Sequence, residues 1–230
     1  MEVQIINELA QKSIDQLKHT ITCAEPHKYE AIKALAKINT DESRKTLRSL
    51  LLLDDAYIKR FVLEELGNIE SKENLAGIIS NIAKDKNEFL TRTSLSIIEK
   101  QGITELHDFV TEKLKSQNPL TVGYALNAIN QVWSDDDFNA IMELAKKEQN
   151  QEIKKKCYEV LCKHANSSNW QSVYKIIRTN KIPQIRLLAC KLLIDNFSDE
   201  FMSDLQGFAK DQDGHIRKLA ANYLKKILSA

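Results

Sequence analysis

The chain has 230 residues, 43% hydrophobic and 28% charged, which supplies a buried core and excludes a disordered polyelectrolyte. Lysine and arginine total 33 against 32 acidic residues, so the net charge of +1 excludes any global attraction to nucleic acid or an anionic membrane, and binding charge must be local. Only 6 glycines and 3 prolines interrupt the chain, a composition of long helices joined by short turns.

The opening residues mix acidic side chains into a broken apolar pattern and lack the features of a secretory or transit peptide. Apolar runs such as Leu50–Leu53 stop at four residues, far below the roughly 20 a membrane helix needs. A cytoplasmic protein without a membrane span is expected. Val3 to Ile21 reads as the first helix, and its polar face (Asn7, Gln11, Lys12, Lys18) suits an N-terminal cap. Residues 1–25 are therefore expected to be a capping helix and 26–230 stacked helix pairs, within a single domain spanning 1–230.

From there a pattern recurs. Its anchors are His27, Ile58, Leu90, Val122, Ile153, Ile185 and Ile216, at steps of 31, 32, 32, 31, 32 and 31 residues. The fourth position after the anchor is mostly small (Ala31, Ser94, Cys157, Ala189, Ala220), as close helix packing requires. Apolar pairs follow at the seventh and eighth positions, for example Ile97/Ile98, Val160/Leu161 and Leu192/Leu193. Each copy thus contains one amphipathic helix, termed B.

Thr40, Ser71, Thr104, Ser134, Asn166 and Ser198 lie 12 to 14 residues beyond the anchors and are all N-cap types. Each is expected to start a second helix, termed A, with its own 3.6-residue apolar period, as in Leu75, Ile78, Ile79 and Ile82. Gly67 and Gly102 suit the ends of the preceding B helices. Such a pair cannot bury its apolar face alone, so stacking is required. The expected fold is all-α, a right-handed α-α superhelix (solenoid) of about seven helix pairs.

Asp211-Gln212-Asp213-Gly214-His215-Ile216-Arg217-Lys218-Leu219-Ala220-Ala221 resembles a HEAT repeat: an acidic turn, an aliphatic–Arg pair and a small-residue helix. Ile185-Arg186 with Ala189 is the next-best copy. The resemblance, of the HEAT or PBS-lyase type, covers nearly the whole chain, and its short spacing is similar to bacterial members. It implies a fold and no particular chemistry.

The residue after the anchor is basic in five copies: Lys28, Lys59, Lys154, Arg186 and Arg217. Acidic residues in the turns, such as Asp54, Asp55, Asp211 and Asp213, favour a structural reading, and in HEAT-like proteins such pairs brace adjacent repeats. The second position is expected on the concave B-helix face. There Tyr29, Arg60, Arg92, Tyr124, Lys155 and Lys218 form a basic and aromatic stripe suited to an acidic protein segment or a nucleic-acid backbone, interrupted by Glu64, Glu99 and Glu159.

Some HEAT-like proteins are iron hydroxylases with His-Glu dipeptides, and none occurs here; no metal and no cofactor are expected. Another HEAT-like family excises alkylated purines from DNA with aromatic residues and a carboxylate. Trp133, Trp170 and Asp135 to Asp137 supply the residue types, but both tryptophans fall at repeat boundaries and the net charge is low for a DNA binder. The expected protein is a non-catalytic scaffold or adaptor binding a protein partner, with the nucleic-acid-binding glycosylase type as the alternative. No membrane association is expected, and the sequence leaves the oligomeric state open.

Overall fold

The computed structural model describes residues 2–23 and 26–229. Met1, Ala24 and Glu25 of the expected capping segment and Ala230 lie outside the described residues. The described chain is all-helical, with no strand.

The helices group into two compact units, residues 1–133 and 134–230. The first contains α1 (Glu2–Leu9), α2 (Ile14–Thr22), α3 (Lys28–Ile38), α4 (Asp41–Leu50), α5 (Ala56–Ile69), α6 (Lys72–Ile82), α7 (Glu88–Gln101), α8 (His107–Lys113) and α9 (Pro119–Ile129). Within it α3, α5, α7 and α9 form one layer, each packed on the next, and α2, α4, α6 and α8 pack against them as a second layer. The second unit contains α10 (Asp137–Lys147), α11 (Gln151–Lys163), α12 (Trp170–Ile177), α13 (Pro183–Asp195), α14 (Met202–Phe208) and α15 (Gly214–Leu228). There α11, α13 and α15 form a layer against α10, α12 and α14.

Six of the seven anchors are buried near the start of a B helix. The core of each unit is built from the anchors, the small fourth positions and the apolar pairs, with Leu90, Leu126, Ile185, Ala189 and Leu193 fully buried. His27 departs from the pattern. It precedes α3 in the left-handed region at φ 70, its side chain half in solvent and 3.7 Å from Glu30. A polar imidazole cannot fill the apolar slot its counterparts occupy.

Val3 to Ile21 forms two helices, not one. Ser13 accepts from the Gln16 N–H while Gln16 accepts from the Ser13 N–H, a reciprocal capping box that restarts the chain as α2. Glu2 and Asn7 on α1 accept from Lys33 and Lys37 on α3, so part of its polar face is spent on packing.

Among the expected A-helix starts, Thr40 and Ser71 are N-caps, accepting from Ser43 and Asn74. Thr104 lies inside a 3₁₀ turn before α8, and Ser198 precedes another before α14. The Ser134 and Asn166 N–H groups instead donate to Asp137 and Asn169 at 2.8 Å. The more regular capping falls on the B helices, where Asp55, Asn87, Asn118, Asn150 and Asp213 each accept N–H bonds from the first turn. The two exceptions are α3, which follows His27 without a side-chain cap, and α13, which starts with Pro183 at its first position.

Gly102 ends α7 with φ 62, as its composition predicts. Gly67 lies within α5 and serves a different purpose. A Cβ there would sit 3.0 Å from Ile97 Cγ1, so its missing side chain lets α5 approach α7.

Candidate binding site

Four of the five first-position cations, Lys28, Lys59, Arg186 and Arg217, take bracing roles. Lys28 lies 3.7 Å from Asp55, and Lys59 hydrogen-bonds Asp85 at 3.0 Å, each reaching an acid in a later turn. Arg186 makes the strongest version: Nε and Nη2 donate to the two Asp211 carboxylate oxygens at 2.8 Å, and Nη1 donates to the Asn180 and Lys181 carbonyls. Arg186 holds the Asp211 carboxyl below its usual range. Arg217 donates to the Asp211 and Gln212 carbonyls at 2.6 and 2.8 Å. These side chains are occupied holding turns and adjacent helix pairs.

The second-position stripe is distributed differently. Arg60 on α5, Arg92 on α7 and Tyr124 on α9 line one cleft of about 300 Å³ in the first unit, together with Glu64, Phe89, Thr93, Ser96 and Ile97. Three adjacent B helices present these residues near their N-terminal ends. Tyr29 stands apart from that lining: its ring packs 4.3 Å from Phe61, with Lys28 Nζ 4.9 Å from its centroid. Lys155 and Lys218 belong to the second unit. Lys155 is 3.3 Å from Glu152, and Lys218 is exposed on α15.

Within the cleft Arg60 Nε donates to Glu64 Oε1 at 2.7 Å, an i to i+4 pair along one helix. The Arg60 guanidinium also lies 4.6 Å from the Phe89 ring centroid, a cation–π distance. Phe89 is held in turn by Tyr57, whose ring meets it edge-on at 5.9 Å. Arg92 Nη1 is 3.8 Å from Glu88 Oε2, which accepts a hydrogen bond from the Thr121 hydroxyl on α9. Tyr124 is 39% exposed, enough to offer ring and hydroxyl to a ligand.

Sequence reasoning missed Phe89, the residue that fixes Arg60. Its signal was present at the position before the anchor, where Tyr57 and Phe89 occur in successive copies. It also missed a polar and aromatic cluster in the second unit. There Tyr174 donates to Asp204 at 2.8 Å, Arg178 pairs with the same carboxylate at 3.0 Å, and Trp170 and Phe201 pack 5.1 Å apart. Trp170 is thereby buried in the packing of α12, away from any aromatic binding role.

Three of the four thiols are sheltered and not activated as nucleophiles. Burial pushes Cys157, Cys162 and Cys190 up to about 12, so they are protonated at neutral pH. Among the described residues, no three His, Cys, Asp or Glu side chains gather closely enough to hold a metal ion, and no helix is long and apolar enough to cross a membrane.

No protein-family model matches the chain, and no curated protein matches it. Solved structures do. One engineered protein determined by the Northeast Structural Genomics Consortium is 17% identical over 90% of this chain, with a TM-score of 0.55. This chain spans 66% of that protein's length. A second engineered protein from the same consortium is 13% identical over 83% of this chain and all of its own length, with a TM-score of 0.51. At these identities the likeness is one of fold, an all-helical repeat-like architecture, and carries no activity with it.

Proposed function

We propose that this protein is a non-catalytic scaffold or adaptor of HEAT-like type that binds an acidic segment of a protein partner along its B-helix face. The right-handed superhelical stacking of about seven helix pairs and a cytoplasmic location belong to the same reading. Tyr29, Arg60, Arg92, Tyr124, Lys155 and Lys218 are its contact residues. One observation supports the reading above the others: Arg60, Arg92 and Tyr124, chosen by repeat position alone, line a common cleft. Lys28, Lys59, Arg186 and Arg217 are taken up by bracing, whereas Arg92 at the second position has no carboxylate within hydrogen-bonding range.

Arg60→Glu/Arg92→Glu, assayed by crosslinking pull-down from native lysate with helical CD as the folding control, should abolish recovery of the partner. Recovery equal to wild type would refute the reading. The alternative, a nucleic-acid-binding protein of the alkylpurine glycosylase type, predicts duplex DNA binding that falls steeply with salt. The burial of Trp170 and the carboxylates beside Arg60 and Arg92 favour the scaffold.

A further inference from the structure

Resting on the scaffold reading, we propose that the cleft between α5, α7 and α9 is a receptor for a single side-chain carboxylate of the docked segment, next to an apolar residue. Glu64 and Glu88 are the positioning residues that turn the same cleft away from polyanions.

Two guanidiniums, those of Arg60 and Arg92, line the cleft. Arg60 is held along one edge by Glu64 and over one face by Phe89. Its terminal nitrogens have no hydrogen-bond partner among the described residues, so the distal edge is a preorganised two-donor fork. Arg92 is sheltered, with its side chain 22% exposed, yet its closest carboxylate oxygen lies at 3.8 Å, beyond hydrogen-bonding range. That oxygen is held by Thr121 from the neighbouring helix. Arg92 therefore has a compensating charge and unspent donors.

A planar carboxylate is the acceptor that matches a guanidinium fork in bidentate fashion. At about 300 Å³ the cleft is at the small end of ligand sites, sized for a side chain and not for a length of backbone. Ile97, Phe89 and the exposed ring of Tyr124 supply apolar surface beside the forks, which selects a carboxylate with an apolar neighbour.

Charge supplies the selectivity. Glu64 and Glu88 balance Arg60 and Arg92, so the cleft has no excess positive charge to recruit a phosphate chain. A single carboxylate brings one charge to the cleft that Arg60 and Arg92 both line, whereas a phosphodiester strand carries further charges past Glu64 and Glu88 and is repelled by them. The two glutamates also hold the arginines in place, Glu64 by direct hydrogen bond.

The test is a titration of the isotopically labelled full chain, followed through the arginine Nε–Hε signals. The probes are the capped peptide Gly-Glu-Trp-Gly, its Gln counterpart and a short oligothymidylate. The Glu peptide should move the Arg60 and Arg92 signals, and the Gln peptide should bind about tenfold more weakly or worse, the scale of one lost charge-assisted pair. Arg60→Lys/Arg92→Lys keeps the charge and removes the forks, and should also lose about tenfold. Glu64→Gln/Glu88→Gln should gain oligothymidylate binding. Equal binding of the two peptides, full retention by the lysine variant, or wild-type oligothymidylate binding as tight as the Glu peptide would each overturn the proposal. The scaffold reading fails separately, in the pull-down with the glutamate variants, so a sound pull-down with a failed titration removes only the chemistry assigned to the cleft.

Discussion

Asp211→Ala is the sharpest probe of what holds the second unit together. The carboxylate accepts two 2.8 Å bonds from Arg186 and a third from the Asp213 N–H, while the two side chains are only 11% and 15% exposed. Removing it strands a sheltered guanidinium that keeps only the Asn180 and Lys181 carbonyls. Breaking a buried ion pair costs about 3–5 kcal/mol, and the residual exposure argues for the lower end, about 3 kcal/mol. For a unit of about 100 residues this lowers its melting temperature by roughly 12–24 °C. Trp133→Phe leaves Trp170 as the sole tryptophan, so urea unfolding followed by its fluorescence reports on the second unit. Arg186→Met/Asp211→Ala removes the stranded charge as well, and should cost about 1 kcal/mol, the scale of the lost turn bond. Because folding lowers the Asp211 pKa, its stabilisation is present above the unfolded value of about 3.9 and disappears as pH falls through the folded value. The cost of Asp211→Ala should therefore shrink below about pH 4. A single-mutant cost below about 1 kcal/mol at neutral pH, or a double mutant as damaging as the single one, would refute the bracing argument.

Two glycines of the first unit should respond oppositely to gaining a side chain. Gly77→Ala meets nothing within 4 Å and should stabilise α6 by up to about 1 kcal/mol, whereas Gly67→Val drives a branched side chain into Ile97 and should destabilise by about 1–3 kcal/mol in chemical denaturation. Thiol labelling of the native protein should modify Cys23 fastest, with Cys157 and Cys190 reacting only after denaturant is added; rapid native labelling of either would contradict their burial. Loss of partner recovery in Arg60→Glu/Arg92→Glu with unchanged helical CD completes the set.

Much of the helix order was legible because burial repeats with the sequence. Ile58, Leu90, Ile153, Ile185 and Ile216 each mark the third residue of a B helix, and the small fourth position follows in Ala189 and Ala220 because neighbouring helices approach closely there. The first copy was legible only in its spacing. His27 keeps the step of 31 residues but cannot occupy an apolar slot, so α3 begins after it. Helix starts were less readable, since Ser, Thr, Asn and Asp all cap, and only backbone geometry distinguishes Ser71, which caps α6, from Ser198, which precedes a 3₁₀ turn.

The sequence by itself determined the all-helical architecture and the alternation of helices, because a periodic apolar pattern can be buried in few ways. It could not distinguish Gly67 from Gly102. One admits a neighbouring helix and the other turns the chain, and only the approach of Ile97 and the φ of 62 separate them. Only the tertiary structure decided which charges were spent. Lys59 and Arg186 found acids about 25 residues downstream, while Arg60 was locked by its own helix and by Phe89 from the next, leaving one edge of its guanidinium open to the cleft. Those pairings depend on distances between helices, which a residue's place in a repeat does not contain.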